Sequence, residues 1–194
     1  MSSVGGYAAV CEAFSGFRYV NGYPDENGKL AGAPVRPNIS LGDTLAGLNA
    51  ALGTVMALFA RQKLGGNAKT GQTVDVAIYE SVMGMLEGMV PAYDRFGVIR
   101  GPSGSGVTGI VPTNAYPTKG DPPVWIIIGG NGDSIFARLC GAMGRDDLLQ
   151  YKTNIDRVKN QKVIEDGITA WTSQLTADEA LKALCERNAW GSHR

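Results

Sequence analysis

The fold of this chain is decided by the stretch Ile39-Ser40-Leu41-Gly42-Asp43-Thr44-Leu45-Ala46-Gly47-Leu48. Apolar residues then recur at three- and four-residue steps, as Leu45, Leu48, Leu52, Val55, Met56 and Phe59. This spacing predicts a long amphipathic helix whose apolar stripe faces a core. Gly65-Gly66 is expected to end the helix, because glycine favours the left-handed conformation found there. Asp43 therefore lies in the first turn.

A carboxylate in the first turn of a helix allows two interpretations. The unpaired backbone N–H groups and the positive end of the helix dipole keep Asp43 ionised and oriented, as a nucleophile must be. Ser40 and Asp43 also fit a capping box, with Ser40 at the N-cap. The local pattern alone favours the capping box, because such boxes are far commoner than nucleophilic aspartates.

The composition describes a globular chain without an obvious polyanionic partner. Its 194 residues are 44% hydrophobic, enough for the core of one domain or two small ones. The 18 basic and 18 acidic residues cancel, so we expect no nucleic-acid or anionic-membrane surface. The apolar runs are short or broken by glycine, so no membrane span is expected either.

Histidine and cysteine are too few for the common metal and triad sites. His193 is the only histidine, and Cys11, Cys140 and Cys185 lack the paired spacing of a zinc site. Neither a Ser-His-Asp triad nor a multi-histidine metal centre is expected. We predict no metal and no redox cofactor.

After the long helix, the pattern changes between strand and helix. Gln72–Ile78 alternates as a strand does, and Tyr79–Met89 returns to helical spacing. Val124–Ile128 is the strongest strand in the sequence. The helix after it should turn four apolar residues inward, Ile135, Phe136, Leu139 and Met143. Further helices are predicted near 157–173 and 176–187, which makes the fold class α/β.

The segment Gly104–Gly109 matches the G-x-G-x-x-G dinucleotide fingerprint letter for letter. No strand runs directly into it, and Pro112 follows where the fingerprint needs a helix. A flexible loop is the simpler interpretation, and a nucleotide-binding oxidoreductase is the alternative.

Five segments resemble, in order and spacing, the family III CoA-transferases of the CaiB/BaiF type, which include formyl-CoA transferase. They are Glu12–Gly16, Pro34–Pro37, Leu41–Asp43, Gly71–Glu80 and Tyr116–Gly120. The resemblance is to an internal piece of such an enzyme. A nucleotide-binding region is expected before Met1 and a further segment after Arg187. The alternative is an inactive fragment that serves only as a binding or assembly piece.

The resemblance implies roles for four residues. Asp43 would be the catalytic nucleophile, which carries CoA as an aspartyl thioester. Tyr7 would line the acyl-group pocket. Gly104 and Gly106 would belong to a glycine-rich loop that closes over the acyl group, with backbone N–H groups near an oxyanion. The substrates would be an acyl-CoA, for example succinyl-CoA or a similar thioester, and a carboxylic acid acceptor, with no separate cofactor.

The resemblance also implies an organisation of the chain. Residues 1–90 would be part of the large transferase domain, 91–112 a glycine-rich linker, and 113–187 a small α/β domain before a divergent tail at 188–194. Enzymes of the family are interlocked homodimers, so a homodimer is expected. The expected location is cytoplasmic, or mitochondrial if an upstream segment carries a targeting signal.

Overall fold

The computed structural model describes residues 6–63 and 71–189. The chain divides into two compact units, Met1–Pro102 and Ser103–Arg194. The division falls in the glycine- and proline-rich stretch that precedes the sheet.

The first unit is helical in its described residues. The helices are α1 (Ala8–Phe14), α2 (Phe17–Val20), α3 (Leu41–Lys63), α4 (Ile78–Gly84) and α5 (Met89–Phe96). The helices α1, α3 and α4 pack against one another. The long helix predicted after Asn38 is confirmed as α3. Its expected end at Gly65-Gly66 lies outside the described residues.

The apolar stripe of α3 is exposed, although the sequence predicted that it faces a core. Its side chains are between 60% and 63% exposed at five positions, Leu48, Leu52, Val55, Met56 and Phe59. Gly42 is the buried residue of this helix. By length and composition α3 could cross a membrane, but the core helix of a soluble protein meets the same criterion. The spacing thus identified the helix and its apolar face without identifying what covers that face.

The strand predicted at Gln72–Ile78 is wrong. Residues 71–77 have no regular secondary structure, and Ile78 begins α4. A strand needs a neighbour to pair its N–H and C=O groups. The described part of the first unit has no other strand. Val74 packs beside α3 instead, where a Cβ on Gly53 would lie 2.7 Å from the Val74 Cγ1 atom.

Within residues 103–189, the second unit holds a two-stranded sheet and five helical segments. In chain order the strands and helices are β1 (Thr113–Pro117), β2 (Trp125–Gly129), α6 (Asp133–Met143), a 3-10 helix (Asp146–Gln150), α7 (Asn154–Lys159), α8 (Gln161–Thr172) and α9 (Ala177–Glu186). The strands are antiparallel, with Tyr116 opposite Ile126. The strand predicted at Val124–Ile128 is confirmed, and so is the α/β class.

A buried apolar cluster fills the second unit. Its members are Val111, Tyr116, Ile126, Ile128, Phe136, Leu139, Cys140, Leu148, Ile164, Ile168, Ala180, Leu184 and Ala189. Phe136 and Leu139 are buried as predicted, and Met143 packs against the cluster. The helix predicted near 157–173 is divided at Asn160 into α7 and α8, whereas α9 lies where a helix was expected.

Candidate functional site

Asp43 is the third residue of α3, and it is exposed. The carbonyl oxygen of Ser40 accepts a 3.0 Å hydrogen bond from the N–H of Thr44, which makes Ser40 the N-cap. The N–H groups of Leu41, Gly42 and Asp43 therefore have no acceptor within the helix. These donors and the helix dipole favour negative charge at this end of α3.

The capping box that competed with a functional interpretation of Asp43 is not formed. Thr153 and Thr176 do form complete capping boxes with Asp156 and Glu179 in the second unit. Within residues 6–63 and 71–189, neither the Ser40 hydroxyl nor the Asp43 carboxylate takes part in a hydrogen bond of this kind. The Asp43 carboxylate is therefore not used as a helix cap.

Gly42 fixes the position of Asp43 through close packing. A Cβ atom on Gly42 would lie 2.9 Å from the Cγ2 atom of Ile78 and 3.4 Å from the Cβ atom of Ala8. Only glycine permits this approach without displacing a neighbour. Consecutive helical residues project about 100° apart. The packing that buries Gly42 against α1 and α4 therefore leaves Asp43 on an open side of the helix.

Tyr7 comes to the same end of α3. It is the N-cap residue of α1, and the next residue, Ala8, is 6% exposed and faces Gly42. Tyr7 and Asp43 are thus the immediate neighbours of two residues that pack on each other. The Tyr7 side chain is 83% exposed, so it can contact a ligand. The structure brings these two predicted site residues together.

A buried carboxylate that the sequence analysis did not single out lies one turn farther along α1. Glu12 is 0% exposed, and its Oε2 atom accepts a 2.9 Å hydrogen bond from Arg18 Nε. Arg36 Nε lies 3.7 Å from the same oxygen. The other oxygen, Oε1, has no hydrogen-bond partner among the described residues. The available signal was an acidic residue four positions after Ala8, on the face of α1 that packs inward.

The glycine-rich loop belongs to the second unit. Gly104 has a φ of 66°, in the left-handed region that favours glycine. The N–H of Gly106 donates to the carbonyl oxygen of Ser103 at 3.3 Å, and a Cβ there would lie 3.2 Å from the Thr113 carbonyl oxygen. In the part of the chain that the structure describes, the Gly104 N–H has no acceptor. Gly104 is therefore the better candidate of the two for binding an oxyanion.

A hydrogen-bond network connects this loop to the sheet and to α8. Ser105 Oγ donates to Asn114 Oδ1, and Asn114 Nδ2 donates to Glu165 Oε2 at 3.3 Å. The hydroxyl of Tyr116 donates to the same Glu165 oxygen at 2.6 Å. Burial, and secondly the hydrogen bond to Glu165, raise the pKa of Tyr116, so this hydroxyl remains a donor.

The buried Arg157 holds the loops of the second unit together. It is 0% exposed and donates to the carbonyl oxygens of Val111 at 2.9 Å, Lys152 at 2.9 Å and Asn131 at 2.7 Å. It also forms a 2.8 Å ion pair with Asp133. This role could not be predicted from the sequence, because an arginine with alternating charges around it is typical of a solvated helix face.

The dinucleotide fingerprint at Gly104–Gly109 lacks the structure that it requires. The segment is a loop that leads through a short bridge between Val107 and Ile110 into β1. Dinucleotide binding needs the glycines between a strand and the N-terminus of a helix. No helix follows here, so the oxidoreductase alternative has no structural support.

Among the described residues, a cavity lies near each end of α3. One, of about 210 Å³, is lined by Arg36, Pro37, Asn38, Ile39 and Ser40, and so adjoins the turn that carries Asp43. The other, of about 330 Å³, is lined by Thr54 and by residues that follow it in α3. Thr54 is eleven residues beyond Asp43, about 16 Å along the helix axis. The smaller cavity is the one close to the candidate nucleophile.

The family model for CoA-transferase family III matches residues 1–193. The chain belongs to this family. It is 40% identical, over 90% of its length, to the succinyl-CoA–D-citramalate CoA-transferase of Chloroflexus aurantiacus. It is 31% identical, over 84% of its length, to the human succinyl-CoA:glutarate CoA-transferase. The chain spans 41% of the first of these relatives and 35% of the second.

Solved structures agree with this assignment at the level of the fold. A CaiB/BaiF family protein from Brucella suis superposes with a TM-score of 0.67 and 23% identity, over 93% of this chain and 45% of that one. A hypothetical protein from Mycobacterium tuberculosis gives a TM-score of 0.70 and 22% identity, over 95% of this chain and 46% of that one. The predicted family resemblance is confirmed.

Proposed function

We propose that the intact protein is a CoA-transferase that moves CoA from an acyl-CoA, succinyl-CoA or a similar thioester, to a carboxylic acid. CoA would be carried as a thioester on Asp43. The observation that carries the proposal is the exposed Asp43 carboxylate, placed in the first turn of α3 by the buried Gly42.

The names of the relatives support this class of substrate. Similar proteins are named as transferases that use succinyl-CoA with D-citramalate, L-malate or glutarate. All of these acceptors are carboxylic acids. The family membership supports CoA transfer in general, and the choice of donor and acceptor is part of the proposal.

The proposed reaction begins with attack of the Asp43 carboxylate on the thioester carbonyl carbon. The C–S bond breaks, which gives a mixed anhydride and the CoA thiolate. The thiolate then attacks the aspartyl carbonyl carbon, releases the donor acid as a carboxylate and leaves CoA on the enzyme as an aspartyl thioester. The acceptor carboxylate then attacks the aspartyl thioester and displaces the CoA thiolate, which gives a second mixed anhydride. The thiolate attacks the acyl carbon of the acceptor in this anhydride, which forms the new acyl-CoA and restores the Asp43 carboxylate.

The start of α3 suits this chemistry electrostatically. Each step passes through a tetrahedral intermediate with a negatively charged oxygen. The first-turn N–H groups of α3 have no acceptor within the helix, and such donors stabilise developing negative charge. Tyr7 would bound the acyl group beside Asp43. The part played by Gly104 and Gly106 in covering the acyl group stays a prediction from the resemblance.

The test is to replace the nucleophile in the intact protein. Asp43→Asn should lower the transfer rate more than about a thousandfold, because an amide is a poor nucleophile and removing a nucleophile has effects of at least this size. Incubation of the unchanged protein with succinyl-CoA should add CoA to the peptide that contains Asp43, as mass spectrometry would show. Asp94→Asn, an exposed aspartate of α5, is the matched control and should keep full activity.

Two results would reject the assignment. Transfer that survives in Asp43→Asn would exclude an essential nucleophile there. A CoA adduct on another residue would move the nucleophile elsewhere. Specific CoA binding without any transfer by the unchanged protein would favour the alternative of a binding or assembly piece.

A further inference from the structure

Arg36 is held in place without using its hydrogen-bonding capacity. Its side chain is 44% exposed, and Nε lies 3.7 Å from Glu12 Oε2, too far for a hydrogen bond. Among the described residues, its guanidinium group donates no hydrogen bond. A guanidinium group offers five N–H donors in a planar fork. Arg36 is therefore oriented by attraction to a buried carboxylate, with its donors available to another acceptor.

The cluster of Glu12, Arg18 and Arg36 carries one more positive charge than negative. Glu12 contributes one buried negative charge, whereas Arg18 and Arg36 contribute two positive charges. Arg18 is 15% exposed and hydrogen-bonds directly to Glu12 Oε2, so it is the closer of the two cations to this carboxylate. The second positive charge, on the more exposed Arg36, remains for a ligand. A partly buried guanidinium without an acceptor attracts an anion more strongly than a fully solvated one.

The cavity beside Arg36 extends to Ser40, at the start of the helix that carries the candidate nucleophile. It has a volume of about 210 Å³, and Asn38 and Ser40 add polar groups to its wall. Ser40 is the N-cap of α3, three residues before Asp43, which corresponds to about 4.5 Å along the helix axis. An anion on Arg36 and a carbonyl group at Asp43 could therefore belong to one small molecule.

We infer that Arg36, held by the buried Glu12, binds the non-reacting carboxylate of a dicarboxylic acyl group whose thioester carbonyl lies at Asp43. This inference rests on the proposed function. A carboxylate suits the guanidinium fork, which it can engage through two parallel hydrogen bonds. In a succinyl group only two methylene carbons separate the carboxylate from the thioester carbonyl, which suits a small cavity. The phosphates of CoA, by contrast, lie beyond the whole pantetheine arm.

The experiment compares donors with and without the distal carboxylate. Arg36→Gln in the intact protein should raise the KM for succinyl-CoA about tenfold or more and leave that for butyryl-CoA within about twofold. Arg95→Gln removes an exposed arginine from α5 of the same unit and should change neither value. Arg36→Lys keeps the charge near Glu12 but loses the fork, so its effect should be intermediate.

A binding measurement separates this inference from the proposed function. Succinate should bind to the unchanged protein at least about tenfold more tightly than butyrate, and Arg36→Gln should remove the difference. Equal binding of the two acids would overturn the inference without any need for a folded variant. Failure of transfer, together with succinate binding that depends on Arg36, would reject only the proposed function.

Two other results would overturn the assignment of a carboxylate. One is an equal rise in the KM values for succinyl-CoA and butyryl-CoA in an Arg36→Gln protein whose thermal unfolding is unchanged. That result would indicate a general structural role for Arg36. The other is loss of the preference for CoA over dephospho-CoA in the same variant. That result would place a phosphate of CoA at Arg36.

Discussion

The two units of this chain differ in how they are stabilised. The described residues contain 15 buried apolar side chains, of which 13 belong to the second unit and two, Ala8 and Val82, to the first. The second unit also has a sheet, a fully buried arginine and two complete capping boxes. The first unit instead exposes the apolar stripe of its longest helix.

The difference matters because the candidate chemistry lies in the unit with the smaller core. Asp43, Tyr7 and Arg36 all belong to the first unit, and each is exposed or partly exposed. They are placed by a few close contacts, namely Gly42 against α1 and α4 and Glu12 beside the two arginines. These candidate site residues are therefore placed without a large core in the same unit. The following predictions test this contrast.

The largest effect is expected from Arg157→Met in the second unit. The change leaves the carbonyl oxygens of Val111, Lys152 and Asn131 without their donor inside a packed core. We expect a loss of about 3 kcal/mol or more in the free energy of unfolding. The unfolding temperature should then fall by more than about 10 °C. All the tryptophans lie in the second unit, so intrinsic fluorescence reports its unfolding selectively.

Arg145→Met is the matched control for this prediction. Arg145 forms a 2.8 Å ion pair with Asp147, and both side chains are substantially exposed. Surface ion pairs of this kind contribute about 0–1 kcal/mol. Similar losses for Arg157→Met and Arg145→Met would show that the buried arginine does not hold the second unit together.

The sequence predicted best what depends on local pattern. The helices α3 and α9 and the strand β2 were all identified, because residues that set a helical or strand period lie within a few positions of one another. The strand at Gln72–Ile78 was predicted wrongly, because a strand needs a pairing partner and residue spacing does not show whether one is present.

The same reasoning explains what was predicted of the candidate site. Asp43 was recognised from its place in a helix and from family resemblance, and Tyr7 from the resemblance alone. The ion pair of Glu12 with Arg18 spans a helix end, and that with Arg36 joins positions that are far apart in sequence. Such pairs carry no periodic signal, so the placement of Arg36 beside Glu12 became visible only in three dimensions.

A second prediction contrasts two glycines of α3. Gly42→Ala places a methyl group 2.9 Å from Ile78, so the start of α3 must move away from α4, at a cost of about 1–3 kcal/mol. Gly47→Ala meets nothing within 4 Å and should stabilise the helix by up to about 1 kcal/mol. Hydrogen exchange in α3 and α4 should therefore quicken in the first variant and slow in the second.

The readout for the glycine pair includes an internal reference. Tryptophan fluorescence should show unchanged unfolding of the second unit in both variants, since the substitutions lie in the first unit. Faster exchange in Gly47→Ala, or no change in Gly42→Ala, would mean that the contact at Gly42 does not position the start of α3.

The smallest expected effect concerns acid stability and the helix caps of the second unit. Hydrogen bonds from the backbone N–H and the hydroxyl of Thr176 lower the pKa of Glu179. Because this pKa is lower in the folded than in the unfolded state, the ionised Glu179 stabilises the fold at neutral pH. Its contribution is lost as the pH falls below about 4.5 and through the folded pKa. Glu179→Gln should lower the unfolding temperature by a few degrees at pH 7, and the unfolding temperatures of the two proteins should converge near pH 3.

In the described residues the helices α1, α4 and α5 of the first unit have no side-chain caps, so this acid-dependent contribution of a helix cap to stability belongs to the second unit. A difference between the two proteins that stays constant down to pH 3 would show that ionisation of Glu179 is not what stabilises α9.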